Sequence, residues 1–180
     1  DAPADEPSIG LPLEQVIDAL RALLEDPGIE KVGHDLKTDM ILLERKGVEL
    51  HGIGLDTMLA SYLLDSTRSG HDLESTALDF LGYRAQSETD VCEKGAKAIA
   101  LAEVEPAAIL TFAGERADLS LQLADKLTPD LKDAQLEQVY SDMERPLIPV
   151  LAAIEQAGVR VDCAALAVQG RQMERDLASL

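Results

Sequence analysis

Leu13, Val16, Ile17, Leu20, Leu23 and Leu24 recur every three or four positions, predicting an amphipathic helix that stops at Asp26-Pro27-Gly28. Lys31-Val32-Gly33 reads as a short strand, and Leu36 to Lys46 as a helix ending at Gly47. Val48 to Leu55 is extended and broken at Gly52 and Gly54; helix resumes over Asp56 to Leu64. Asp72 caps a helix carrying Leu73, Ala77, Phe80 and Leu81. Residues 83 to 105 are polar and irregular. Pro106 opens a long helix to Leu127, since its missing N–H has no helical partner at that position anyway. Gln135 to Gln156 is helical but for expected interruptions at Pro146 and Pro149, and Gly158 closes it. Val159-Arg160-Val161 reads as extended, and Asp162 caps a final helix.

Helix dominates this pattern. The two extended segments are too few for a stable sheet by themselves, so further strands are expected before residue 1. Both ends read as internal cuts. The chain starts without Met, and the stripe Leu166, Met173, Leu177 and Leu180 is still running at its end.

Composition narrows the options. Hydrophobic residues make up 46% and aromatics 3%, so the core must be aliphatic. No apolar run reaches the ~20 residues that a membrane span needs. The start, Asp1-Ala2-Pro3-Ala4-Asp5-Glu6-Pro7, lacks a signal-peptide apolar region. Two cysteines, Cys92 and Cys163, make no disulfide framework, so a reducing, cytoplasmic setting is expected. Cys163 is read as a small buried residue. The net charge is -18, which works against holding nucleic acid, because phosphate binding relies on Lys and Arg.

Several blocks then follow in a telling order. Gly33-His34-Asp35-Leu36-Lys37-Thr38-Asp39 resembles the second exonuclease motif of the bacterial DNA polymerase I family, the family A DNA polymerases. Asp56-Thr57-Met58-Leu59-Ala60-Ser61-Tyr62-Leu63-Leu64 is similar to the next block, with His71-Asp72-Leu73 and the segment Val91 to Lys97 after it. Phe112 to Leu123 resembles the third exonuclease motif. Met143 to Leu151, with Ile154-Glu155 and Gly158 to Asp162, resembles the opening of the polymerase thumb. Each block alone is weak; their joint order is specific.

The resemblance implies a helix-rich α/β fold of the ribonuclease H-like 3′–5′ exonuclease type, with its N-terminal strands missing, followed by thumb-type helices. It implies linker at residues 1–10, a partial exonuclease-like domain at 11–132 and the start of a polymerase domain at 133–180. The parent would be a DNA-directed DNA polymerase, a nucleotidyltransferase of replication and repair that uses Mg²⁺ or Mn²⁺. Its partners would be DNA and the polymerase domain in cis, as a monomer, without a membrane. No metal is expected bound in this fragment.

The family chemistry is two-metal phosphodiester hydrolysis, with cations ~3.5–4 Å apart held by several carboxylates. The resemblance places four acids and a Tyr at that site, two of the acids before residue 1. Asp39 matches a third, as a vestigial metal candidate. Arg116 stands where the fourth belongs and Phe112 where the Tyr belongs, four apart and so on one helix face. A guanidinium repels a cation, so no catalytic residue is intact. With no metal present, Arg116 is expected to pair with Asp39 within ~4 Å. Asp118 lies about 200° around the helix from Arg116 and reads as a surface residue. Asp56 reads as a helix cap. Lys37, Lys94 and Lys97 are the candidate nucleic-acid contacts. His34, His51, His71 and Cys92 lack the paired spacing of a zinc site.

The first functional reading is thus a degenerate nuclease domain that positions DNA within a polymerase. The alternative is an active proofreading exonuclease completed by upstream acids. An acidic helical interaction module is a third reading, and it leaves the ordered motifs unexplained.

Overall fold

The computed structural model describes residues 11–92 and 98–179. The elements in chain order are α1 (Leu13–Leu24), β1 (Lys31–Gly33), α2 (Leu36–Glu44), β2 (Ile53–Asp56), α3 (Thr57–Leu64), α4 (Leu73–Leu81), the single turn α5 (Glu88–Val91), a 3₁₀ turn (Leu101–Glu103), α6 (Pro106–Asp133), the turn α7 (Glu137–Val139), a π-helical turn (Tyr140–Glu144), α8 (Arg145–Ala157) and α9 (Cys163–Ala178). β1 and β2 pair in parallel across the α2 crossover, with Lys31 opposite Ile53, Val32 opposite Leu55 and Gly33 opposite Asp56.

The core follows the apolar periodicity. Leu119, Leu123, Leu127 and Leu131 lie along one stripe of α6 and pack with Leu55, Leu73, Ala77 and Tyr140. Leu123 and Leu127 are fully enclosed, and burying each side chain stabilises the fold by about 1.5–3 kcal/mol. α6 is therefore the backbone against which α3, α4 and the strand pair are ordered.

The helix starts are set by side chains. Asp56, at 1% exposure, accepts from the backbone N–H groups of Met58 and Leu59 at the start of α3. The same carboxylate accepts from Asp35 N at 3.2 Å and Leu36 N at 2.8 Å, the start of α2. One buried acid thus anchors the N-termini of two helices, where donors have no helical partner and the dipole favours negative charge. Asp35 sits at φ 67, a left-handed conformation that Asp tolerates. Asp72 caps α4 through Ser75 N, and Asp162 caps α9 through Ala164 N and Ala165 N.

Several expectations are corrected. Pro149 lies inside a continuous α8, and Pro146 near its start, so neither breaks the helix. The irregularity comes earlier, where Arg145 N bonds Tyr140 O in the wide turn before Pro146. Helix α6 runs past Pro129 to Asp133, because Leu131 is buried and its packing offsets one lost hydrogen bond. Val159-Arg160-Val161 forms no strand. Cys163 is exposed, because nothing among the described residues covers α9. Residues 1–10, with Lys94 and Lys97, lie outside the described residues.

Candidate functional site

The end of β1, the first turn of α2, the start of α4 and the middle of α6 surround one concavity. It holds about 350 Å³ and is lined by Val32, Gly33, His34, Asp39, Leu73, Arg116, Ala117 and Ser120. The sequence expected Asp39 and Arg116 in one place, and the fold brings both to this cleft. β1 delivers Gly33 and His34 directly. Asp39 follows on α2 and lies over Gly33: a Cβ added there would come within 3.6 Å of Asp39 Oδ2 and would collide with Leu36. A side chain at that crossing would require the buried Leu36 side chain to shift.

Arg116 does not pair with Asp39. Its Nη1 donates to Glu74 Oε1 at 2.7 Å, and its guanidinium lies 5.1 Å from the centre of the Phe112 ring. Glu74 belongs to the first turn of α4, which packs on α6, so it is the nearer acid along the Arg116 side chain. Phe112 is buried and shares a helix face with Arg116 as the spacing predicts. Cation–π contact and the ion pair together fix the guanidinium at the cleft wall.

Asp39 stays accessible to solvent and, among the described residues, its carboxylate makes no hydrogen bond or ion pair. The surrounding protein displaces water from its carboxyl, and the Asp35 and Asp56 carboxylates add repulsion; its pKa is raised above the usual carboxylate value. His34 is held on both sides. Its Nε2 donates to the His71 carbonyl at 2.8 Å, and Nδ1 lies 2.9 Å from Thr57 Oγ1, which is itself 3.0 Å from the Gly33 carbonyl. Burial, with Arg116 nearby, lowers the imidazole pKa despite the opposing pull of Asp56.

The other candidates separate. Lys37 bonds Glu155 at 2.6 Å and faces α8 rather than the cleft. Asp118 is exposed and accepts from Gln122 Nε2. His71 Nδ1 bonds Ser61 Oγ at 2.6 Å. His51 lies beside Glu49, and Cys92 is a buried free thiol. Among the described residues no three His, Cys, Asp or Glu side chains are placed to hold a metal ion. Among the described residues, the cleft lining supplies one carboxylate, Asp39, and one guanidinium, Arg116.

Sequence reasoning missed Glu74 and Tyr140. The Tyr140 hydroxyl accepts from Asp56 N at 2.7 Å and donates to the Gly54 carbonyl at 3.2 Å. Enclosure pushes its pKa up to about 12.

The sequence pattern of the family described as DNA polymerase I, ribonuclease H-like domain, matches residues 11–119. The DNA polymerase I of Pseudomonas aeruginosa is 38% identical over 170 residues, covering 93% of this chain and 19% of that protein. That of Rhizobium leguminosarum is 38% identical over 152 residues, covering 84% of this chain and 15% of that protein. The chain therefore spans less than a fifth of the length of these curated relatives. Among solved structures, the POL domain of Pol1 from M. smegmatis, in complex with DNA primer-template and dNTP, aligns with TM-score 0.66 at 29% identity. That alignment covers 90% of this chain and 24% of the other. Brucella melitensis NrnC aligns with TM-score 0.64 at 20% identity, over 77% of this chain and 64% of its own, and bears on the fold alone. The fold is ribonuclease H-like.

Proposed function

The chain belongs to the DNA polymerase I family, and from that premise we propose that residues 11–132 are an exonuclease-like unit that positions DNA for a polymerase without cutting it. Residues 133–180 would be the start of the polymerase domain, joined in cis. The parent is read as a monomeric DNA-directed DNA polymerase of replication and repair that uses Mg²⁺ or Mn²⁺ at its polymerase site.

The observation that carries this reading is the state of Arg116. A guanidinium fixed by Glu74 and Phe112 occupies the wall where a metal ligand is needed, and it repels divalent cations. Phe112 supplies no hydroxyl to orient water. Among the described residues, Asp39 is the one carboxylate lining this cleft. The net charge of -18 further disfavours holding DNA without a basic neighbour. DNA would be held by the parent polymerase, with this unit shaping its path.

The test is a nuclease assay of the chain on a 5′-labelled single-stranded oligonucleotide with Mg²⁺ and then Mn²⁺. The expected result is an unchanged oligonucleotide. Metal-dependent shortening that Asp39→Ala abolishes would overturn the reading and favour the proofreading alternative.

A further inference from the structure

Helix α2 carries Asp39 and forms one wall of the cleft, and it is held from outside the exonuclease-like unit at three points. At its first turn, Lys37 Nζ bonds Glu155 Oε2 of α8 at 2.6 Å. At its last residue, Glu44 Oε2 accepts from Gln156 Nε2 of α8. Adjacent residues of α8 thus grip α2 two turns apart. The third point is indirect. The Asp56 carboxylate anchors Asp35 N and Leu36 N, and the N–H of Asp56 itself donates to the buried Tyr140 hydroxyl.

Tyr140 stands at the start of the π-helical turn that leads into α8. Such a turn widens the helix by one residue and recurs at functional positions. Here it directs the phenol inward to the strand end, while α8 continues along α2. The hydroxyl also donates to the Gly54 carbonyl, so it bridges two backbone groups of β2 across the seam.

We propose that Tyr140 and Glu155 make α2 a coupling strut, so that the Asp39 wall of the cleft is positioned by the helices leading out of the domain. Tyr140 is a positioning residue: it acts on the cleft through Asp56. By reciprocity, whatever shifts the cleft wall also biases the π turn and α8. The proposal holds whether or not the cleft cuts DNA, so its failure and that of the positioning reading are distinguishable.

The experiment is amide hydrogen exchange by NMR on the whole chain, comparing wild type with Tyr140→Phe and Glu155→Ala. Tyr140→Phe keeps the ring and removes only the hydroxyl. The expected result is about fivefold faster exchange at Leu36, Met58 and Leu59, the size of one net hydrogen bond, with Leu123 and Leu127 in α6 unchanged. Glu155→Ala should speed exchange in α2 and leave α4 unchanged. Unchanged exchange at Leu36, Met58 and Leu59 in Tyr140→Phe overturns the proposal. So does a uniform rise that includes α6, which marks global destabilisation rather than coupling.

Discussion

Arg116 spends its ion pair on Glu74, 42 positions away, and leaves Asp39 across the same cleft without one. The pair is partly exposed, with side chains 36% and 27% accessible, so its coupling should be about 0–1 kcal/mol. A double-mutant cycle with Arg116→Ala and Glu74→Ala, read by chemical denaturation, should return that value. Arg116→Asp should do more harm than Arg116→Ala, because it sets a carboxylate against Glu74. Equal stability of the two single variants would show that Glu74 is not the operative partner.

Asp56 should be the most sensitive polar residue. It is buried and accepts from the backbone N–H groups of Asp35, Leu36, Met58 and Leu59. Asp56→Ala strips these donors together, and each buried donor left unpaired costs ~1–3 kcal/mol before relaxation. The loss should exceed that of Asp72→Ala, whose cap is at the surface, where lost caps cost ~1 kcal/mol. Urea midpoints of the two variants decide the order, and a smaller loss for Asp56→Ala would refute the anchoring role.

What the sequence revealed and what it hid divide along the range of the interactions. The caps at Asp56, Asp72 and Asp162, the two strand candidates and the shared face of Phe112 and Arg116 are local, and local spacing reports them. The second set of N–H groups on Asp56 arrives from 20 and 21 positions upstream, and spacing cannot show that. The Arg116 partner was misread because the resemblance brings positions 39 and 116 to one metal pair, where their opposite charges would match; the packing of α4 on α6 puts Glu74 closer. Tyr140 reaches Asp56 from 84 positions away, through a π turn that no periodicity announces. Pro149 was read as a break because its missing N–H costs a bond, yet Ile148 and Ala152 are buried and hold the helix through it.

His34 gives a pH signature. Its folded pKa is lowered, first by burial, so the fold favours the neutral ring. A depressed pKa contributes stability that is present above the unfolded value of 6.5 and lost as pH falls through the folded value. Stability should therefore drop on acidification from pH 7.5 to 5, and His34→Gln should flatten that drop. The comparison is the difference between wild-type and variant unfolding free energies across the range. A slope that is the same in both would exclude His34 as its source.

Asp39 has the opposite sign. Water displacement and the Asp35 and Asp56 carboxylates raise its pKa, so the fold disfavours its charged form. A raised carboxyl pKa contributes stability fully present below the unfolded value of 3.8 and lost as pH climbs through the folded value. At neutral pH Asp39 is thus an uncompensated charge beside two others, with Arg116 committed to Glu74. Asp39→Asn keeps the shape and removes the charge, so it should raise the melting temperature at pH 7. The advantage should shrink as pH approaches 3.8, because a raised pKa leaves the folded wild-type carboxyl more than half protonated there. Had Arg116 been its counter-ion, the same substitution would lose an ion pair and lower the melting temperature at pH 7. The sign of that one shift, measured by thermal unfolding at both pH values, separates a guanidinium that replaces the metal's charge for Asp39 from one that is held away from it.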